Sequence, residues 1–194
     1  MGNVRSQHEG AIAPDRGRCK ADGKNPHVEG LNRPRPLLAG DNREDFDCGQ
    51  VAMNNWFRRN AWRNQQAGVS RTYVLSESSA ANIAGYVSLA VGEIRREFLP
   101  KSRQRNMPDP VPVFLLGQLA VGLRWQGRAL SDVLLAHAIV TTLHAAETVG
   151  SYALVTHPLN EGVREFYQKR GFTDLSGDPQ GAMFVRLKDL AASV

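Results

Sequence analysis

Two adjoining segments indicate the fold, Val113-Phe-Leu-Leu-Gly-Gln-Leu-Ala-Val121 and Gln126-Gly-Arg-Ala-Leu-Ser131. The first segment is almost entirely apolar, which is typical of a central strand that is buried on both faces. The second is a short basic turn of small residues, and the apolar spacing of residues 131–146 after it predicts a long helix. A turn that joins a strand to a helix presents backbone N–H groups that can bind phosphate, although an ordinary connecting turn has the same pattern.

Helical and strand patterns alternate outward from these two segments. Residues 93–105 are charged and fit either a short helix or a loop. Residues 108–112 contain three prolines, so we expect a stiff connector outside the hydrogen-bonded sheet. The remaining predicted elements are helices near residues 51–67 and 161–169 and strands at residues 70–75, 83–90, 152–157 and 183–187. This order predicts a mixed α/β sheet flanked by helices.

Length and composition predict one folded domain behind an extension. Residues 1–35 are poor in large apolar side chains, so we expect a flexible, disordered N-terminal arm, with the folded domain at residues 36–194. No apolar run approaches the roughly 18 residues of a membrane-spanning helix, and the N-terminus lacks the apolar stretch of a secretory signal. Cys19 and Cys48 are the only cysteines, which favours a reduced, cytoplasmic setting.

The positive charge is concentrated in one part of the chain. The net charge is +5, and residues 48–105 contain nine basic residues against three acidic ones. A local excess of this kind attracts polyanions, either a nucleic acid or the phosphates of a cofactor. A solvated charged face without a binding role is the alternative.

The third informative segment, Asn160-x₅-Phe166-Tyr-Gln-Lys-Arg-Gly-Phe172, completes a resemblance. The apolar strand, the basic turn and this aromatic helix together resemble the Gcn5-related N-acetyltransferase (GNAT) family. Members of that family bind acetyl-coenzyme A, abbreviated acetyl-CoA, between two splayed strands and acetylate amines without a metal. The resemblance therefore implies the GNAT fold, acetyl-CoA as cosubstrate and no metal, and no His, Cys and Asp cluster has metal-ligand spacing.

The resemblance also implies which residues bind the cofactor. The family's phosphate-loop pattern is Gln or Arg, two residues, Gly, one residue, then Gly or Ala. We align Gln126 with its first position, so that Ala129 and Ser131 replace the usual small residues. Asn160 corresponds to an Asn or Asp near the cofactor thiol, and it can also cap the helix. The implied cofactor-binding residues are Leu119, Ala120, Val121, Gln126, Gly127, Arg128, Ala129, Leu130, Ser131 and Asn160.

Tyr167 is the catalytic candidate in this resemblance. A phenol with a pKa of about 10 stays protonated at neutral pH and can protonate the departing thiolate of the cofactor. A half-buried tyrosine packed beside Phe166 is the structural alternative. The general base stays open between His157, Glu93 and a chain of water molecules.

The first half of the chain narrows the resemblance. Phe46-Asp-Cys-Gly49, residues 53–59 and Gly85-Tyr-Val-Ser-Leu-Ala90 are similar to the acetyltransferase toxins of bacterial toxin–antitoxin pairs, and the likeness spans residues 36–187. These toxins acetylate the α-amino group of aminoacyl-tRNA and halt translation. The resemblance implies that substrate, a separate DNA-binding antitoxin, and RNA contacts from Arg58, Arg59, Arg63, Arg95 and Arg96, and it leaves open whether the protein is a homodimer.

Two departures from the toxin pattern keep other functions open. The loop lacks its usual second and third glycines under the alignment above, and Gln118 stands where these toxins often have Arg. A small-molecule or peptide N-acetyltransferase is the alternative among enzymes. A degenerate GNAT fold that only binds CoA, RNA or a protein is the alternative of another class.

Overall fold

The computed structural model describes residues 30–78 and 82–192, which form a seven-stranded mixed sheet flanked by helices. The strand order is β1-β2-β3-β4-β5-β7-β6, and β4 and β5 are parallel whereas the other neighbours are antiparallel. The strands are β1 (Arg35–Pro36), β2 (Arg71–Ser76), β3 (Ile83–Ile94), β4 (Val111–Val121), β5 (Ala153–Thr156), β6 (Thr173–Asp174) and β7 (Met183–Arg186).

The helices lie on both faces of this sheet. Helix α1 (Val51–Trp56), a π-helical segment (Phe57–Ala61) and α2 (Trp62–Gln66) follow one another without a break. The others are α3 (Lys101–Gln104), α4 (Leu130–Ala146), α5 (Glu161–Gln168) and α6 (Leu187–Ala191), with 3₁₀ turns at Arg96–Phe98 and Leu123–Trp125. None of the helices in the described residues is long and apolar enough to cross a membrane. The mixed sheet and the central strand over residues 113–121 were predicted correctly.

Each face of the sheet has its own hydrophobic cluster, because successive side chains of a strand point to opposite faces. Helix α4 packs on one face through Leu134, Leu135 and Ala138. The α1–α2 helical stretch packs on the other, where the Phe57 ring stacks on Tyr86 with ring centroids 4.2 Å apart. The Tyr86 hydroxyl has a hydrogen-bond partner in this core, since it donates to the Met53 carbonyl at 3.0 Å.

The structure corrects the prediction for residues 108–112. Pro112 lies inside β4, opposite Glu93 of β3. The Pro112 carbonyl accepts a hydrogen bond from the Tyr152 N–H at 2.9 Å, so the missing proline N–H also points toward the β5 side. Because β5 begins only at Ala153, the absent donor falls just beyond the end of that ladder and interrupts no hydrogen bond.

The folded part of the chain begins before residue 36. Leu31 is 2% exposed within the core and forms a bridge with Glu77, and the Asn32 N–H donates to the Ser76 carbonyl at 2.9 Å. Arg35 in β1 binds both carboxylate oxygens of Asp41. Residues 30–35, predicted to belong to the arm, are therefore part of the sheet edge, while the rest of the predicted arm lies outside the described residues.

Candidate active site

An opening forms where β4 and β5 separate. The two strands pair only through three residues of β4, Phe114, Leu115 and Leu116, and β5 ends at Thr156. Gly117 is an extra residue relative to β3, because Leu116 lies opposite Leu89 while Gln118 lies opposite Ser88. Such a β-bulge bends its strand, so residues 117–121 continue along β3 and leave a gap on the β5 side.

The backbone N–H and C=O groups of successive β4 residues point alternately toward this opening and toward β3. Gly122 donates to the Ala84 carbonyl at 2.9 Å, so Gly122 and, two residues earlier, Ala120 direct their backbone groups toward β3. Leu119 and Val121 consequently direct theirs toward the opening. Among the three residues predicted to bind the cofactor here, Leu119 and Val121 can do so through their backbone, whereas Ala120 cannot.

The turn after β4 leaves a row of amides open. Gly127 and Ala129 have positive φ angles of 75° and 55°, and α4 begins at Leu130 without a side-chain cap. The backbone N–H groups of residues 127–131 form no hydrogen bond within the described part of the chain. Free amides at the N-terminus of a 17-residue helix can accept an anion, and the helix dipole favours negative charge there.

The backbone angles favour a phosphate-loop motif that begins two residues earlier than the alignment on Gln126. Left-handed angles fall at Gly127 and Ala129, so the family's phosphate-loop pattern is met by Arg124, Gly127 and Ala129. This register differs from our alignment on Gln126, Ala129 and Ser131, and the positive φ angles favour it. Counted from Arg124, the pattern is complete, and the apparent loss of two glycines disappears.

The Gln126 side chain has a structural function. Its amide donates to the Cys48 carbonyl at 3.2 Å and to the Val121 carbonyl at 3.0 Å. It thereby ties the turn to the end of β4 and to the segment before α1. Because the Val121 carbonyl is occupied in this way, Leu119 is the β4 residue whose backbone faces the opening most freely.

The segment Phe46–Gly49 is hydrogen-bonded both to the turn after β4 and to helix α1. The Leu123 N–H donates to the Asp47 carbonyl at 2.8 Å. The Asp47 side chain in turn accepts hydrogen bonds from the Gly49 N–H at 2.8 Å and from the Asn54 amide at 2.7 Å, which together lower the pKa of its carboxyl group. Burial raises the pKa of the neighbouring Cys48 thiol, which also contacts Asn54. This segment therefore anchors the turn between β4 and α4 (residues 122–129), the phosphate turn.

Tyr167 on α5 reaches the point where β4 and β5 separate. Its side chain is 3% exposed and packs between Phe166 and Phe172, with ring centroids 5.2 and 5.1 Å away. Burial raises the pKa of its phenol to about 12, while a hydrogen bond with Thr156 and the positive charge of Arg170 act in the opposite direction. The phenol is therefore protonated at neutral pH and can act as a proton donor.

Two further residues connect α5 to the site. The Asn160 carbonyl oxygen Oδ1 accepts a hydrogen bond from the Val163 N–H at 3.0 Å, so its helix-capping function is present, and its amide nitrogen stays available for a ligand. Arg170 binds Asp132, in the first turn of α4, through Nε at 2.5 Å and donates to the Phe166 carbonyl at 2.7 Å. The Arg170–Asp132 ion pair connects the end of α5, the helix that carries Tyr167, to the phosphate turn.

No contact among the described residues assigns the general base to either side-chain candidate. His157 Nε2 lies 3.6 Å from an Asp178 carboxylate oxygen. Glu93 is four residues along β3 from Leu89, about 13 Å from the level of the bulge at about 3.3 Å per residue. A chain of water molecules is the remaining alternative. Among the residues that the structure describes, no group of three His, Cys, Asp or Glu could hold a metal ion.

The five arginines predicted to bind RNA do not form one surface. Arg58 donates to the Phe46 carbonyl at 2.8 Å and so anchors the segment before α1. Arg95 lies 3.0 Å from Glu97 and Arg96 lies 3.9 Å from Asp109, both beyond the far end of β3. Arg59 and Arg63, one helical turn apart, are exposed and form no ion pair within residues 30–78 and 82–192.

Comparison with known proteins assigns the family. No family model matches the chain. A tRNA-acetylating toxin of Mycobacterium tuberculosis (strain ATCC 25618 / H37Rv) is 34% identical over 167 residues, which cover 86% of this chain and 99% of the relative. The AtaT structure in complex with acetyl-methionyl-tRNAfMet is 30% identical, with a TM-score of 0.77 over 84% of this chain and 98% of the other.

A second AtaT structure combines two ligands. It is a mutant toxin bound to the C-terminus of the antitoxin AtaR and to acetyl-CoA, 26% identical to this chain with a TM-score of 0.69, over 84% of this chain and 96% of the other. The splayed strands, the amide-lined turn and these likenesses define an N-acetyltransferase of the GNAT class. Within it, the chain belongs to the family of GNAT acetyltransferase toxins.

Proposed function

We propose that this protein transfers the acetyl group of acetyl-CoA to the α-amino group of aminoacyl-tRNA and thereby blocks translation. One observation carries the proposal: the opening between β4 and β5 has free amides at its rim and a buried, protonated phenol at its inner end. A thioester cofactor with a phosphate-bearing end fits that arrangement. The relatives indicate the substrate, because one is a tRNA-acetylating toxin and another was solved with acetyl-methionyl-tRNAfMet.

The cofactor would lie along the opening with its phosphates at the turn. The amides of residues 127–131 would bind the pyrophosphate. Arg124 and Arg128 would add positive charge beside it, and the Arg128 guanidinium is already ordered over the Trp125 ring at 4.8 Å. The pantetheine arm would pair with the Leu119 backbone as an additional strand, which directs the thioester toward the end of the β4–β5 pairing.

The reaction needs one proton donor at that inner end. The amine attacks the thioester carbonyl, a C–N bond forms, and the C–S bond breaks. The departing thiolate takes the proton of the Tyr167 hydroxyl, and the proton lost by the amine leaves through water. Because burial keeps the phenol protonated, Tyr167 is ready to donate throughout the neutral pH range.

The substrate and the partner proteins suggest where the protein acts. Of the five arginines that the sequence suggested for RNA, Arg59 and Arg63 are the best placed, since both are exposed and neither forms an ion pair with an acid in the described part of the chain. We further propose a separate antitoxin partner, since a related toxin was solved with the C-terminus of its antitoxin. Aminoacyl-tRNA and acetyl-CoA as substrates make the cytoplasm the expected compartment.

The decisive experiment offers a charged tRNA pool, free amino acids and peptides to the purified protein with radiolabelled acetyl-CoA. We expect label on aminoacyl-tRNA, and we expect Tyr167→Phe to lower turnover at least about tenfold, since general acid catalysis typically contributes roughly a hundredfold or more, with acetyl-CoA affinity within about twofold. Tyr152→Phe is the matched control, because Tyr152 is half-buried in a different cluster.

Each other outcome identifies a different function. Label only on small amines or peptides would identify an N-acetyltransferase whose substrate is not aminoacyl-tRNA. Binding of acetyl-CoA without any transfer would indicate a degenerate binding module. Unchanged turnover in Tyr167→Phe would remove Tyr167 from the mechanism.

A further inference from the structure

His157 lies at the end of β5, on the face of the sheet opposite Tyr167. It follows Thr156, the last residue of that strand, and its side chain is 44% exposed. Leu154 packs in the same hydrophobic cluster as Tyr167, whereas Val155 packs in a cluster on the other face. Because side chains alternate along a strand, His157 shares the face of Val155. The acid and this imidazole therefore approach the end of β5 from opposite faces.

A carboxylate that is itself held by hydrogen bonds lies beside the imidazole. Asp178 belongs to the connection between β6 and β7, its side chain is 10% exposed, and its Oδ2 lies 3.6 Å from His157 Nε2. The same Oδ2 accepts a hydrogen bond from the Ala182 N–H at 2.8 Å, and the Asp178 N–H donates to the Leu175 carbonyl at 2.8 Å. Leu175 and Ala182 pack in the cluster of Val155, which agrees with the face assigned to His157. A base oriented by a third group in this way is a common catalytic arrangement.

The helices that carry the candidate RNA contacts cover the same face. Tyr86 packs against the α1–α2 helical stretch, and Ile94 packs in the cluster of Val155. The two residues are eight positions apart on β3, and an even spacing places them on one face of the sheet. The exposed arginines of α1–α2 and the imidazole of His157 therefore belong to one side of the molecule.

The β4 bulge lies between the two clusters of that face. Val113 packs in the cluster beside Asp178, and Ala120 packs in the cluster under α1–α2. Gly117, which lies between them along β4, is exposed. An acceptor amine that arrives from the side of α1–α2 would meet the opening at this bulge, close to the end of β5.

We propose that His157 is the general base of the transfer and takes the proton of the attacking amine through one water molecule. The inference rests on the proposed function, since it assigns a role in the same reaction. As the C–N bond forms, the amine proton passes to Nδ1 of His157, because Nε2 faces Asp178. As the C–S bond breaks, the Tyr167 proton passes to the sulfur. The imidazolium and the tyrosinate then return to their neutral forms by proton exchange with water.

The chain offers a matched control for losing a histidine that is paired with an acid. Nδ1 of His144 lies 3.6 Å from a Glu147 carboxylate oxygen, the same separation as in the His157–Asp178 pair. His144 lies fourteen residues after the start of α4, about 21 Å along the helix from the phosphate turn. His144→Ala therefore removes an imidazole from an equivalent pair without touching the site.

The test compares His157→Ala, His157→Gln, Asp178→Asn and His144→Ala in the acetylation assay with charged tRNA. We expect both His157 variants to lower kcat at least about tenfold, since general base catalysis typically contributes roughly a hundredfold or more, while the KM for acetyl-CoA changes less than about twofold. Asp178→Asn keeps an oxygen for the Ala182 N–H and should lower kcat about fivefold, the effect of losing one partly exposed charge pair. His144→Ala should match the natural protein.

Added imidazole separates a chemical role from a structural one. A free base can enter the space left by a half-exposed side chain, so we expect imidazole to raise the kcat of His157→Ala severalfold and to leave that of His144→Ala unchanged. If His157→Ala does not fold, His157→Gln carries the test, and a tenfold loss of kcat at an unchanged KM supports the base.

Two results would overturn the assignment of the base and leave the proposed function standing. One is a normal kcat in the His157 variants, and the other is a loss of kcat in folded His157→Ala that imidazole does not restore, in each case with acetylation of charged tRNA by the natural protein. Absence of any acetyl transfer by the natural protein would instead overturn the proposed function, and the base assignment with it.

Discussion

Arg170 neutralises a carboxylate beside the phosphate turn, and its removal should weaken cofactor binding. Its guanidinium lies 3.7 Å over the centre of the Phe166 ring and binds Asp132, the acidic residue in the first turn of α4. An acid at that position favours the helix but repels a phosphate on the same amides. In Arg170→Gln the Asp132 charge would be left without its partner.

The magnitude follows from the geometry of the helix. A phosphate on the first-turn amides would lie roughly one helical turn, about 6 Å, from the Asp132 carboxylate. The two side chains are 29% and 46% exposed, so the effective dielectric constant lies between the protein and water values, at about 40. One unit charge then contributes about 1.4 kcal/mol of repulsion, or about a tenfold loss of affinity.

Isothermal titration calorimetry with CoA at low salt measures this loss. Asp132→Asn in the Arg170→Gln background should restore the affinity, because the repelling charge is gone, and high salt should reduce the defect by screening. Arg164→Gln is the matched control, since Arg164 lies on α5, just before Arg170 in the chain, and pairs with Asp174 away from the turn. An Arg170→Gln protein that binds CoA normally, or a folded double variant that stays weak, would refute the electrostatic reasoning.

Two further predictions concern the phosphate turn and the RNA contacts. Ala129→Gly should be tolerated with a stability change within about 1 kcal/mol, whereas Ala129→Val should cost about 1–2 kcal/mol and weaken CoA binding, because a β-branched residue resists the positive φ at this position; urea denaturation and calorimetry measure both effects. Arg59→Glu with Arg63→Glu should weaken tRNA binding and leave CoA affinity unchanged, whereas Arg58→Glu should lower stability because Arg58 binds the Phe46 carbonyl. Filter binding beside thermal denaturation distinguishes the two, and equal loss of RNA and CoA binding in the Arg59 and Arg63 variant would argue against a specific RNA role.

The central elements could be predicted because their signals are local. A run of apolar residues over 113–121 specifies a buried strand wherever the rest of the chain goes, and the apolar spacing of residues 131–146 specifies a helix in the same way. The helix that carries Tyr167 and its Asn160 cap could be predicted, because the cap and length of a helix depend on neighbours within a few residues. Elements of two residues such as β6 (Thr173–Asp174) carry no period and were not predicted.

The remaining assignments depended on backbone angles and on the sides to which groups point. The positive φ angles of Gly127 and Ala129 favour the register of the phosphate motif that begins at Arg124. The residue types alone do not reveal these angles, although a pattern begun at Arg124 would have matched. Arg58 and Arg59 are adjacent and chemically equal in sequence. Their separation into an anchor and an exposed cation follows from the helical rotation between them and from the position of the Phe46 carbonyl.

The sequence by itself determined a mixed α/β domain, a central strand, a phosphate-type turn and an aromatic helix with a candidate acid, because each depends on residues close together in the chain. The tertiary structure alone decided where β4 leaves β5 and which atoms meet there. In sequence, Thr156 is an ordinary strand residue, yet its hydroxyl donates a hydrogen bond to the carbonyl of Leu116, forty positions away. Contacts of that span arise from strand pairing and helix docking, which no local pattern encodes.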